Sequence, residues 1–184
     1  MIAVLLADGF EEIEALTPVD VLRRAGLDVR TVAVGSKIAV GSHGIPVVCD
    51  VSADEVKLDE VSAVVFPGGM PGSLNLDASD FSDKIINAVK EKGGIIAAIC
   101  AAPMVLGRRG LLEGRRATCY PGFEGELRGA VPTGNAVEVD GNIVTARGMG
   151  VALEFALTLI SLISGKDEAI RISEGVCERY VFGR

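Results

Sequence analysis

Residues 95–106 read IIAAICAAPMVL. Ile95–Ile99 is a short apolar run of the kind that forms a strand buried on both faces. It stops at Cys100, and a helix reads from Ala102 to Gly107 directly after it. Ala98, Ala101 and Ala102 leave room for a tight strand-to-helix turn. A buried strand, one nucleophile-capable residue, small neighbours and a helix form the layout of a nucleophile elbow. At such a helix N-terminus the dipole and free N–H groups favour a thiolate. The same pattern also admits a buried, inert thiol, because cysteine packs readily as a small hydrophobe.

Working outward, two more apolar runs end in turns that could face the same way. Ile2–Ala7 is followed by Asp8-Gly9, and Val61–Phe66 by Pro67-Gly68-Gly69. Residues 11–25 carry apolar side chains at helical spacing, with acids in the first turn, Arg23 and Arg24 in the last and Gly26 beyond. Pro18 is expected to kink or split this helix. Val29–Val34 reads as a strand, Ser79–Lys92 as a helix and Arg116–Cys119 as a strand. Residues 120–134 read as loop, and Gly150–Ser164 and Asp167–Val176 as helices. Two hairpins are expected: Ile38–Val40 with Ile45–Cys49, and Ala136–Val139 with Asn142–Thr145 around Asp140-Gly141. Strands alternating with helices predict an α/β fold with a mainly parallel sheet covered on both faces, the hairpins adding antiparallel edges.

Composition narrows the class. A chain of 184 residues suits one domain, taken as 1–184. Aromatics are 4% and Trp is absent, so the core is built from Val, Ile, Leu and Ala. A net charge of −7 argues against nucleic acid, whose phosphates call for a Lys/Arg surplus. The longest apolar stretch, residues 151–163, is too short for a membrane span and contains Glu154. No secretory leader is read, so the expected location is the cytoplasm. Cys49, Cys100, Cys119 and Cys177 lack metal-ligand spacing and are expected as free thiols. His43 is the only histidine, which leaves no multi-histidine metal site. No phosphate-binding loop follows any strand, and neither metal nor cofactor is expected.

Open α/β sheets bind ligands at the carboxyl ends of their strands. There Gly68-Gly69 could offer backbone N–H groups to an oxyanion beside Cys100. Glu11, Glu12 and Glu14 supply three carboxylates, and one on the apolar phase would be held neutral by burial and could pass protons to the sulfur. His43 falls in a hairpin turn, where a surface position is expected rather than a Cys–His dyad.

The segments DGFEEIEALTPVDVLRRAG (8–26), VVFPGGMPGSLNL (64–76), IIAAICAAPMVL (95–106) and NIVTARGMGVALEFAL (142–157) together resemble the DJ-1/PfpI (ThiJ) superfamily, in its DJ-1-like branch. The resemblance implies a flavodoxin-like three-layer sandwich and a homodimer. It assigns the nucleophile to Cys100, the protonated carboxyl partner to Glu14 and the backbone donors to Gly69 and Ala101. It places Arg24 in a dimer interface and gives Glu12 no role. Two positions depart from the pattern. Tyr120 stands where many members carry a histidine, and His43 where DJ-1-like members often have an arginine. The implied function is a glyoxalase III or deglycase acting on a small reactive carbonyl such as methylglyoxal. The other implied reading is a redox-sensing or chaperone protein that meets oxidants through Cys100 without turnover. A peptidase or amidase is disfavoured by the missing histidine.

Overall fold

Alternate side chains of the first strand enter two different cores. The computed structural model describes residues 1–177. In β1 (Ile2–Leu6), Ile2, Val4 and Leu6 join one apolar cluster, while Ala3 and Leu5 join the other. The period of two along a strand requires this when both faces are covered. The first cluster lies under three helices: α1 (Glu12–Arg24), α5 (Ala152–Ser164) and α6 (Lys166–Gly175). The second lies under α2 (Gly72–Asp77), α3 (Asp80–Glu91) and α4 (Pro103–Arg108). The result is the flavodoxin-like three-layer α/β sandwich that the resemblance implies. Phe155 is fully buried in the first core and Phe66 in the second. Truncating either to Ala is worth about 3–5 kcal/mol.

The remaining strands are β2 (Val29–Ala33), β3 (Ile38–Val40), β4 (Pro46–Val48), β5 (Val51–Ser52), β6 (Ala63–Phe66), β7 (Ile95–Ile99), β8 (Arg116–Ala117), β9 (Val131–Pro132), β10 (Val137–Asp140) and β11 (Ile143–Ala146). The main sheet runs β10-β11-β7-β6-β1-β2-β5, and every pairing is parallel except β10 with β11. Strands β1, β6, β7 and β11 are neighbours, so their carboxyl ends open onto one crevice.

Three expectations are corrected. The hairpin of β3 and β4 is a separate two-stranded ribbon and not an edge of the main sheet. Backbone bonds clamp it onto the loop after β1 instead: Gly9 donates to the Val40 carbonyl at 2.8 Å and Ser42 to that of Phe10 at 2.7 Å. The strand expected over Arg116–Cys119 ends at Ala117. Thr118 turns away because its N–H is taken by Thr145 Oγ1 at 2.9 Å. Pro18 does not split α1, which runs unbroken from Glu12 to Arg24. Pro18 is itself buried, and Ala15, Val19 and Leu22 on the same helix fill the core, which holds the helix together across the missing donor. Among the described residues, no helix is long and apolar enough to cross a membrane.

Candidate active site

Cys100 follows β7 and has φ +66°, a left-handed conformation rare for a residue with a side chain. The turn is held from both sides. The Cys100 N–H donates to the Ala146 carbonyl at 2.9 Å, and the Tyr120 N–H donates to the Cys100 carbonyl at 2.8 Å. Strain kept by surrounding bonds is characteristic of functional turns. The helix that follows starts at Pro103, one residue later than the sequence reading, and spans six residues.

Glu14 comes from the first turn of α1 and is 1% exposed. Its N–H donates to the capping carboxylate of Glu11 at 2.8 Å. Its Oε2 accepts the Gly68 N–H at 3.0 Å, while the Glu11 N–H donates to the Gly68 carbonyl at 2.9 Å. This reciprocal pair joins the loop after β1 to the loop after β6. The Glu14 carboxyl is in hydrogen-bond contact with the Cys100 side chain. The N–H groups of Ala101 and Gly69 are directed at the same sulfur. Cys100, Glu14, Gly69 and Ala101 are thus brought together.

Sequence reasoning gave Gly68 no role distinct from Gly69. A Cβ at Gly68 would overlap Glu14 Oε2 and lie 2.6 Å from Cys100 Cβ. Only a glycine lets the thiol and the carboxyl meet across this loop.

Burial pushes the Glu14 carboxyl up to about 7, reinforced by the charge of Glu11 and opposed by Cys100 and by the N–H groups of Gly68 and Met149. Burial, followed by the Glu14 charge, pushes the Cys100 thiol up to about 12, against the pull of the Ala101 and Gly69 N–H groups. The helix-favoured thiolate expected from the sequence is therefore not produced by α4. Two acids share a pocket that tolerates one negative charge. When Glu14 carries its proton, the repulsion on the sulfur vanishes and the carboxyl O–H becomes a donor to it.

His43 does not join the thiol. Its Nδ1 lies 2.9 Å from Glu12 Oε2 and its N–H donates to Glu12 Oε1 at 2.8 Å. Glu12 is 4% exposed, which burial alone would answer with a raised pKa; hydrogen bonds from His43 and Ile45 instead hold it down at about 2. Glu12 was left without a role by the sequence reading. Its phase with Ala15, Val19 and Leu22 on the core face was the available signal. Glu11, Glu12 and His43 also bring three potential metal-ligand atoms within 4.8 Å of one another. Hydrogen bonds already engage them.

Arg24 lies outside this site. It is ten residues along α1 from Glu14, about 15 Å at the helical rise, and pairs with Asp20 at 2.7 Å. Tyr120 is bound to the site through its backbone. Its exposed ring meets Phe123 edge-on at 6.5 Å and lines an adjoining cavity of about 330 Å³.

The chain matches the DJ-1/PfpI family model over residues 1–162. It is 36% identical to protein dj-1beta of Drosophila melanogaster over 96% of both chains. It is 39% identical to protein DJ-1 homolog B of Arabidopsis thaliana over 91% of this chain, but spans only 39% of that longer protein. A deglycase of Pyrococcus abyssi is 34% identical over 79% of this chain and 89% of its own. Among solved structures, oxidized DJ-1 of Toxoplasma gondii superimposes with a TM-score of 0.93 at 35% identity, covering 97% of this chain and 98% of the other. With the elbow cysteine, the buried glutamate and the sheet order in place, the chain belongs to the DJ-1/PfpI family.

Proposed function

We propose that the protein converts 2-oxoaldehydes such as methylglyoxal to 2-hydroxy acids, using Cys100 as nucleophile and Glu14 as proton relay. The observation that carries this is the Glu14 carboxyl at about 7, in contact with the Cys100 thiol. A group poised near neutrality can act as acid and then as base within one turnover. The Cys100 sulfur bonds to the aldehyde carbon, and its proton passes to the new alkoxide, giving a hemithioacetal. Glu14 removes the hydrogen of that carbon, the proton of its hydroxyl passes to the adjacent ketone oxygen, and Glu14 returns its proton to the former ketone carbon. A thioester on Cys100 results. Water adds its hydroxyl to the acyl carbon and returns a proton to the sulfur, releasing the 2-hydroxy acid. The sum is addition of one water, with no outside oxidant or cofactor. Gly69 and Ala101 N–H groups face the sulfur and would stabilise negative charge that develops beside it. The relative from Pyrococcus abyssi, a deglycase, supports turnover at such a site. Lactate formation from methylglyoxal tests the reading. Wild-type turnover that Cys100→Ala leaves undiminished would overturn it.

A second reading rests on the same sulfur. Cys49 and Cys119 are buried, while Cys100 is partly open and faces a carboxyl able to donate to an oxidised sulfur. The likeness to an oxidized DJ-1 favours this reading. Mild peroxide followed by intact-mass analysis should add two oxygens at Cys100, and equally ready oxidation of Cys49, Cys119 and the exposed Cys177 would sink it. We also propose a homodimer through α1, whose Ile13 and Leu16 are exposed, and a cytoplasmic location, where the free thiols stay reduced.

A further inference from the structure

The cavity next to the site is bordered by an exposed cation that has no ion-pair partner among the described residues. Arg147 directly follows Ala146, whose carbonyl accepts the Cys100 N–H. Arg147 lines the 330 Å³ cavity with Tyr120, Pro121, Met149 and Val151, so one charged side chain faces largely apolar walls. Its Nη1 donates to the Gly134 carbonyl at 3.2 Å, and among the described residues it forms no ion pair. By contrast, Arg108, Arg109, Arg115 and Arg116 are each tied to a carboxylate. The cavity adjoins the reacting groups through Gly148. A Cβ there would sit 3.4 Å from the Tyr120 ring and 3.8 Å from Glu14 Oε1.

A pocket of this size is at the lower end for organic ligands and exceeds what a three-carbon aldehyde fills. From the guanidinium without an ion-pair partner, the apolar walls and the closeness of Gly148 to Glu14, we infer that Arg147 is a specificity-determining residue. It receives the carboxylate of a 2-oxoaldehyde with an anionic tail, while the aldehyde end reaches Cys100. The planar fork of arginine suits a carboxylate bidentately. The inference rests on the assignment of Cys100 as nucleophile, and it names the substrate class for that site.

Two measurements separate the subsite from the reaction. The first compares alkylation of Cys100 by iodoacetate and by iodoacetamide, read by peptide mass. These reagents differ in charge and require no turnover. Arg147→Gln should lower the iodoacetate-to-iodoacetamide rate ratio about five- to thirtyfold, the range of one well-made charged contact, and Arg147→Lys should retain most of it. The same ratio in wild type and Arg147→Gln overturns the inference. The second compares kcat/KM for 4,5-dioxopentanoate and for methylglyoxal; Arg147→Gln should lower that ratio by a similar factor. If neither aldehyde is consumed while the alkylation ratio falls, the anion subsite stands and the glyoxalase reading fails. If both are consumed and neither ratio moves, the reaction stands and the subsite fails.

Discussion

The Glu14 carboxyl touches the Cys100 thiol: burial pushes Glu14 up to about 7 against the pull of that contact, and burial together with the Glu14 charge pushes Cys100 up to about 12. The pair is therefore uncharged or singly charged at neutral pH. With the thiol pushed up to about 12, the short α4 contributes little to a thiolate, and the group that faces the sulfur is a carboxyl able to hydrogen-bond it. This differs from a Cys–His site, where an imidazolium supplies the stabilising charge. The only histidine in the chain is engaged by Glu12, so the Cys–Glu arrangement is the chemistry this fold presents.

The first prediction concerns stability against pH. Glu14 has a folded pKa of about 7 against an ordinary value of 4.5, so between these values the folded state binds more protons than the unfolded one. Stability then falls as pH rises through that window. A shift of this size corresponds to about 3 kcal/mol. Glu14→Gln should remove this loss. Chemical denaturation of both proteins at pH 5 and pH 8 measures it. The pH dependence of His43, raised by Glu12, is common to both proteins and cancels in the difference. Equal slopes for wild type and variant would show that Glu14 is not held protonated by the fold.

A second prediction concerns Gly68. The methyl of Gly68→Ala would overlap Glu14 Oε2 and crowd Cys100 Cβ, with the loop pinned by Glu11 and unable to retreat. The variant should lose about 1–3 kcal/mol and, more tellingly, most methylglyoxal turnover. Urea denaturation and lactate assay report the two effects separately. An active Gly68→Ala protein would mean that the carboxyl and the sulfur need not meet.

A third prediction separates the cysteines. Cys100→Ser should abolish uptake of two oxygens under mild peroxide, whereas Cys119→Ser should leave it intact. Burial, with the Glu124 charge, raises the Cys119 thiol to about 11, and Cys119 is less exposed than Cys100. Peptide mass after matched peroxide doses gives the comparison, and loss of the adduct in Cys119→Ser would move the reactive sulfur away from the elbow.

The elbow was legible in the sequence because its signals are local: an apolar run, a cysteine between small residues and a helix start within 12 residues. The donor roles of Gly69 and Ala101 came from the family resemblance; the local pattern offered only the Gly68-Gly69 turn and a small residue after the cysteine. What escaped depended on contacts distant in sequence. Alternation predicts a hairpin at β3 and β4 but carries no information on which sheet receives it, and the deciding bonds run to Gly9 and Phe10. Arg116–Cys119 has the composition of a strand, yet Thr145 captures Thr118 from 27 residues away. Arg147 has no local pattern at all. Its place becomes visible only when β11 lies beside β7.

Glu12 supports the last prediction. It is buried and ionised, and its oxygens accept the His43 and Ile45 N–H groups while its partner Nδ1 lies 2.9 Å away. The contact ties the 41–45 turn to α1, two residues from Glu14. A Cβ at Gly41 would overlap the Glu12 carboxylate, so the turn closes tightly over it. Glu12→Ala leaves those donors unanswered and should cost about 1–3 kcal/mol. Its folded pKa of about 2 lies below the ordinary value of 4.5, so its contribution is present above pH 4.5 and is lost as pH falls toward 2. Acid unfolding of the variant should therefore begin from lower stability and show a shallower decline over that range. Hydrogen exchange at residues 42–45 should rise in Glu12→Ala more than in β7. Unchanged protection of that turn would show that the Glu12–His43 contact does not hold it.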